Sequence, residues 1–188
     1  MRSMPAMAFV LVGFAFGGCG GRTVDWSAPE NLLYRESQTE QAGGALLEYW
    51  SLLDLPCQPV FDALTDIEHY PDFIPGVDSV SLIEQSPTSK TVQIAQRVIG
   101  RQSSAKVEWT FDRDKRKVDF RTLQSDLTYN DGNYQLEGSP DGKRCLVHSS
   151  YLVKEGKGLS LAALAQATRE TFTAAARGLR KRAAQPRT

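Results

Sequence analysis

Neither charge is in excess: 22 lysines and arginines stand against 22 aspartates and glutamates in 188 residues. A protein that grips a phosphate backbone normally shows a basic face, so this balance gives no reason to expect a nucleic-acid partner. Histidine is scarce, with two in the whole chain, and so is cysteine, with three. Their positions give no cysteine–histidine set with metal-ligand spacing, and the sequence asks for no metal and no cofactor. A glycine-rich phosphate loop and a serine nucleophile motif are missing too. No interior apolar run reaches the roughly 18 residues that a membrane span needs. There is no internal repeat and no low-complexity tract. What is left is a chain of one-domain length, 41% apolar, long enough to bury an ordinary core.

The N-terminus departs from this neutral picture. Arg2 is a minimal positive region, Met7 to Phe16 is a short apolar stretch, and Gly17 and Gly18 are small. That is the pattern of a secretory signal, covering residues 1–18. Cys19 follows directly and resembles the lipobox cysteine of bacterial lipoproteins, with Phe16 standing where leucine is usual. The resemblance implies that Cys19 becomes the first residue, diacylated through sulfur and acylated on its amine. Several acyl chains at about 0.8 kcal/mol per buried methylene would hold the protein on a membrane. The expected address is the cell envelope. Gly20 and Gly21 follow the cysteine with no aspartate, which in a Gram-negative cell points to the periplasmic face of the outer membrane. The alternative is a plain secreted protein with a free Cys19. Residues 20–41 are polar and aperiodic and read, with Cys19, as a tether spanning on the order of 25 Å as a flexible coil. Within it, "PENLLYRE" could form one or two helical turns.

The folded domain is assigned to residues 42–184, with 185–188 as a disordered tail. "ALLEYWSLLDLP" reads as a strand. In "CQPVFDALTDIEHY", Pro59 suits a first helical turn, and Val60, Phe61, Leu64 and Ile67 recur at helical spacing. Tyr70 precedes Pro71 and is biased away from the α region, so the helix is expected to end there. From Val77 to Glu155 the period becomes two, in segments divided by turn residues. One face carries Val92, Ile94, Gln96 and Val98; then Val107, Trp109 and Phe111; then Val118, Phe120, Thr122 and Gln124; then Tyr134 and Leu136; then Cys145, Val147, Tyr151 and Val153. These are antiparallel strands with one buried side. "LSLAALAQATRETFTAAARGLRKRAA" reads as one long helix with a stripe through Leu161, Leu164, Ala165, Thr168, Phe172, Ala175, Ala176 and Leu179. A long helix against a curved antiparallel sheet is a two-layer α+β architecture.

Within that order, "PVFDALTDIEHYPDFIPGVDSVSLIE" resembles the N-terminal motif of the START-like helix-grip (SRPBCC) superfamily. The nearest branch is that of polyketide cyclase/dehydrase and coenzyme Q-binding proteins. Val60, Phe61, Asp66, Tyr70, Pro71, Asp72, Phe73, Ile74 and Pro75 fill its recurring places. The resemblance implies a curved antiparallel sheet of about six to seven strands wrapped around the long C-terminal helix. The Tyr70–Gly76 corner then reads as scaffold, with Phe73 and Ile74 plugging one end of the sheet and Gly76 freeing the chain to enter the next strand.

The same resemblance implies a cavity between sheet and helix, usually apolar with a few polar groups. The residues expected to bind there are Gln96, Trp109, Phe111, Phe120, Thr122 and Tyr134 on the sheet, with Leu164, Thr168 and Phe172 on the helix. Gln124 joins the polar set by strand parity. The polar members could instead satisfy each other or water. No residue is assigned to catalysis. His148 falls on the face opposite Val147 and Tyr151, and His69 sits at the helix end. In the helix-grip sheet the first and last strands pair, so Cys57, just past the first, should meet Cys145, at the start of the last. The resemblance thus implies a Cys57–Cys145 disulfide, the alternative being two buried free thiols. The basic end "RGLRKRAAQPRT" is either a solvated terminus or a face for anionic head groups. The expected partners are a hydrophobic or amphipathic small molecule (lipid, quinone or polyketide-like) and the membrane. The expected role is a non-catalytic carrier. An aromatase/cyclase-type enzyme and an envelope interaction module with a collapsed cavity are the alternatives.

Overall fold

The computed structural model describes residues 23–41, 43–98, 100–126, 130–154 and 160–185. Its elements run β1 (Asn31–Gln41), β2 (Gly44–Leu53), α1 (Cys57–Thr65), a 3₁₀ turn (Ile67–His69) and α2 (Tyr70–Phe73). Then come β3 (Val77–Gln85), β4 (Ser89–Val98), β5 (Arg101–Asp112), β6 (Lys117–Ser125), β7 (Asn130–Gly138), β8 (Cys145–Lys154) and α3 (Leu161–Ala183). The strands form one antiparallel sheet in the order β1-β2-β8-β7-β6-β5-β4-β3. Alternation along them turns Leu47, Val92, Val107, Val118, Val147 and Val153 to one face, where Phe61 and Leu64 of α1 and Leu164, Phe172 and Leu179 of α3 cover them. This is the α+β helix-grip arrangement.

The sheet has eight described strands against the six to seven expected, because half of the expected tether is β1. It pairs with β2 through a register that sets Glu36 opposite Tyr49 and Arg35 opposite Trp50. "PENLLYRE" accordingly supplies strand, not helical turns. Its polarity follows from position. β1 is an edge strand, and its Glu36 meets Arg169 of α3 at 2.6 Å. A register shift between Asn31 and Arg35 breaks the alternation that would have marked it as a strand. The segment before it is held as well: Arg144 donates to the backbone oxygens of Trp26 and Ala28, and Glu30 pairs with Arg180 at 2.7 Å.

The helix over 57–70 also divides differently. α1 stops at Thr65, where Asp66 leaves the helical region at φ −85°, ψ 54°. Tyr70 adopts helical angles (φ −53°, ψ −37°) despite preceding proline and opens the single turn of α2, with Pro71 second, where its missing N–H is not needed. Burial of the Tyr70 ring and its hydrogen bond to the Leu64 carbonyl at 2.5 Å outweigh the local bias. Gly76, at φ 88°, then turns the chain into β3. This corner docks on α3 at Gly178, where a Cβ would stand 1.8 Å from the Phe73 carbonyl oxygen. Only glycine lets the two backbones approach so closely.

α3 begins at Ser160, whose hydroxyl accepts from the Ala163 N–H at 3.3 Å, and ends in Arg180, Lys181 and Arg182. Two of these cations bind carboxylates of the domain itself: Arg180 takes Glu30, and Arg182 takes Asp66 at 2.9 Å. Gln185, assigned to the tail, still donates its N–H to the Arg182 carbonyl. Residues 186–188, Cys19 and the signal segment lie outside the described residues. Among the described residues, no helix is long and apolar enough to cross a membrane.

Candidate functional site

Between the inner face of the sheet and α3 lies a cavity of about 200 Å³. Strand alternation supplies one wall: Ile94, Gln96 and Val98 from β4, Ala105, Val107 and Trp109 from β5, Phe120 and Thr122 from β6. Asn130 and Tyr134 of β7 and Tyr151 and Val153 of β8 continue it. The helix closes it with Leu164, Ala167, Thr168, Thr171, Phe172, Ala175 and Leu179, and the corner contributes Tyr70, Ile74 and Val77.

Of the residues expected to bind, Gln96, Trp109, Phe120, Thr122, Tyr134, Leu164, Thr168 and Phe172 stand on this wall, and Phe111 does not. Phe111 is buried on the inner face but pairs with Val118 near the β5–β6 turn, past the end of the cavity. Parity sets the face of a side chain, not its depth along the strand. Gln124 is outside altogether. Val107 pairs with Thr122 and Lys106 with Gln124, so Leu123 is an extra residue, and beyond this bulge Gln124 shares the solvent face with Lys106. Tyr70, Tyr151, Thr171 and Asn130 line the cavity without having been singled out as binding residues. Tyr70 belongs to the corner whose sequence reads as mainly structural. Tyr151 carried the right parity signal, and Thr171 stands three residues after Thr168 on the same helical face. Asn130 is the first residue of β7, and no apolar alternation marks its side chain.

The aromatic lining is continuous. Trp109 lies 5.1 Å from Phe120 and 6.3 Å from Tyr134 between ring centroids, and Tyr70 meets Trp109 edge-on at 6.0 Å. Tyr49, stacked behind the Phe172 lid at 4.9 Å, has its phenol pushed up to about 12 by burial, with Glu36 adding to the effect. The hydroxyls of Tyr134 and Tyr151 are 3.1 Å apart. Thr122 donates to the Asn130 carbonyl at 2.8 Å, and Thr168 to the Leu164 carbonyl at 2.8 Å. Among the described lining residues, two buried side-chain atoms have no hydrogen-bond partner, Trp109 Nε1 and Asn130 Oδ1. Burial pushes the phenols of Tyr70, Tyr134 and Tyr151 above the ordinary tyrosine value, and for Tyr70 and Tyr151 the neighbouring Tyr134 pushes the same way. All three therefore enter the cavity as neutral hydrogen-bonding groups.

The histidines lie elsewhere. His148 stacks on Trp50 at 4.4 Å on the outer face, with Nε2 3.0 Å from Glu48 Oε1. His69 holds Asp66 Oδ1 at 2.6 Å near the α3 terminus. A larger cleft of about 630 Å³, between α1 and the end of α3, is lined by Gln58, Asp62, Asp66, Arg113 and Arg182. It is a polar surface groove whose Asp66 is already shared by His69 and Arg182, so the aromatic cavity is the better candidate site. Among the described residues, no cluster of three histidine, cysteine or acidic side chains could hold a metal. Cys57, the first residue of α1, is joined to Cys145, the first of β8, by a disulfide of 2.06 Å with Cα atoms 4.8 Å apart. This bond pins α1 to the sheet outside the cavity.

The family described as polyketide cyclase/dehydrase and lipid transport matches residues 53–179. Among solved structures, the Zhui aromatase/cyclase from a Streptomyces species superposes with a TM-score of 0.67 at 17% identity, covering 73% of this chain and 92% of that one. A START superfamily protein from Mycobacterium smegmatis gives 0.64 at 11% identity, covering 73% and 95%. A STAR-related lipid transfer protein from Xanthomonas axonopodis gives 0.62 at 14%, covering 80% and 99%. At such identities the likeness is one of fold. No curated protein matches.

Proposed function

We propose that this chain, which belongs to the polyketide cyclase/dehydrase and lipid transport family, holds one small hydrophobic or amphipathic molecule between sheet and α3 without transforming it, and does so at the cell envelope on a lipid anchor at Cys19. One observation carries the binding reading: the cavity wall is apolar and aromatic, and none of its described lining residues is an aspartate, glutamate, histidine, lysine, arginine or cysteine. General acid–base catalysis at neutral pH needs a group that titrates nearby, and the tyrosines on this wall are displaced away from that range. What the wall offers is burial for carbon and a few hydrogen bonds. A volume of about 200 Å³ is below the ~300–1,000 Å³ of usual ligand sites. That favours a single ring system or one acyl or prenyl segment over a whole diacyl lipid. A quinone head group of the coenzyme Q kind is one version that fits. The envelope address rests on the signal-like residues 1–18 and the lipobox-like cysteine after them.

Native mass spectrometry of the mature protein, purified from its own host's envelope, tests the binding reading. A defined small-molecule adduct supports it. A clean apo mass that persists through lipid and quinone titration overturns it, and turnover of a polyketide-like substrate would put a cyclase in its place. For the anchor, C19S should move the protein from the membrane fraction to the soluble fraction, and unchanged partition refutes acylation.

A further inference from the structure

The segment ahead of β1 is fastened to the domain at successive points. Arg35 donates to the Thr23 carbonyl at 3.0 Å, and the Asp25 N–H donates to the Tyr34 hydroxyl at 3.1 Å. Arg144, largely buried, reaches the Trp26 carbonyl, the Ala28 carbonyl at 2.6 Å and Asp54 at 2.6 Å. Glu30 accepts from the Asp54 N–H at 3.2 Å and pairs with Arg180. A guanidinium holds its donors in a fixed fork, and charge-assisted hydrogen bonds sheltered from water are weakly screened by salt. Residues 23–30 are therefore a strap, and its main fasteners share one end of the domain. Asp54 follows β2, Arg144 precedes β8, and Arg180 lies in the last turn of α3.

The cavity opens at the other end. Its lining is exposed at Thr171 and half-buried at Val98, which ends β4, and Asn130, which begins β7. Arg35, the fastener of Thr23, is level with Trp50 of β2 and through it with His148 of β8. Val153, level with Asn130, stands five residues further along β8, roughly 17 Å. Val98 is more distant still, because β1 and β4 lie six strands apart in the sheet order. Between Cys19 and Thr23 stand residues 20, 21 and 22, a leash that reaches at most about 14 Å fully stretched. An anchor at Cys19 cannot be brought to the mouth on that leash. Were residues 23–30 free as well, it would run to Asn31 and stretch to roughly 40 Å, enough to bring either end to a bilayer.

We propose that the strap turns the anchor into an orienting device. The end of the domain formed by the strap, the start of β8 and the last turns of α3 rests on the head groups of the anchoring bilayer. The cavity then opens away from that bilayer, toward water, and ligand exchanges on the aqueous side. The inference rests on the readings of Cys19 as a lipid anchor and of the cavity as a binding site.

The mature acylated protein tests it in phosphatidylethanolamine–phosphatidylglycerol vesicles that carry a nitroxide on their head groups. A fluorophore is attached to one added cysteine, at exposed Glu137→Cys beside the start of β8 or at exposed Gln102→Cys near the mouth. The nitroxide should quench the label at position 137 and leave the label at 102 bright. Equal quenching, or stronger quenching at 102, overturns the orientation, while membrane partition that is lost in C19S keeps the anchor. A long glycine–serine insert between Gly21 and Arg22 should abolish the difference between the labels without releasing the protein. A difference that survives the insert shows that the leash does not set it, and overturns the inference. The strap has its own readout, independent of the membrane. Chymotrypsin should spare the Trp26–Ser27 bond in the wild type and cut it in Arg144→Gln. Rapid cutting in the wild type refutes a fastened strap, and this arm needs no variant to fold. If the wild-type protein never enters the membrane fraction, the anchor reading fails and this inference with it.

Discussion

Reducing the Cys57–Cys145 bond removes a covalent link without removing a single buried heavy atom. The two cysteines are separated by 88 residues, and they join the start of α1 to the start of β8. The chain-entropy relation for a loop of that length gives about 4.6 kcal/mol at 25 °C, released to the unfolded chain when the loop opens. On the native side the loss is small. Cys145 is 0% exposed and Cys57 5%, and the reduced thiols would stay there as small apolar side chains. Set against the ~5–15 kcal/mol that holds a typical domain, this is a large fraction of the whole. At about 2–4 °C per kcal/mol for a domain of this size, Tm should fall by roughly 9–18 °C. Urea unfolding with and without a phosphine reductant, followed by tryptophan fluorescence, measures the difference directly. The urea m-value should rise on reduction, because the opened chain exposes more surface. A loss below about 1 kcal/mol with an unchanged m-value would refute the reasoning, since the unfolded chain would then have gained no freedom.

Three further outcomes are expected. Because the phenols of Tyr70, Tyr134 and Tyr151 are raised above 10.0 in the folded state, the stability they contribute is complete below that pH and falls as pH rises beyond it. An alkaline absorbance titration should show these three tyrosines un-ionised until the fold is lost, and smooth titration of all six in the native state would contradict their burial. Asp66 is pulled the other way: burial raises its carboxyl, but the hydrogen bonds from His69 and Arg182 prevail and hold it below 3.8. Its contribution is thus present above pH 3.8 and fades as pH drops through the lower folded value, so D66N should destabilise near neutrality and make no difference in strong acid. G178A should cost on the order of 2 kcal/mol or more of unfolding free energy, read from the lowered Cm at unchanged m-value, because its Cβ would press to 1.8 Å from the Phe73 carbonyl oxygen and drive the Tyr70–Ile74 corner off α3.

Much of the fold was legible because its signals are local. Val60, Phe61 and Leu64 repeat at helical spacing, β4 to β8 alternate by two, and α3 carries an unbroken apolar stripe. Eight of the nine residues expected to bind line the cavity for the same reason, since alternation and helical periodicity state which face a side chain occupies. Phe111 shows the limit of that signal: it has the right face at the wrong depth. Gln124 shows another, since one extra residue at Leu123 inverts every parity after it, and a bulge leaves no mark in a polar strand. β1 escaped because an edge strand needs no apolar face, and its pairing partner decides its state. Tyr70 went against its own pre-proline bias because a buried ring and one hydrogen bond outweigh a local preference.

By itself, then, the sequence determined the two-layer class, the order of the elements, which faces turn inward, and the kinds of side chain a ligand would meet. These follow from side-chain period and backbone preference, which act over a few residues. The tertiary structure alone decided that residues 31–41 complete the sheet. It decided the room between sheet and helix, and that one indole N–H there is left without an acceptor. Each of these depends on the distance between segments far apart along the chain, and no local pattern carries that distance.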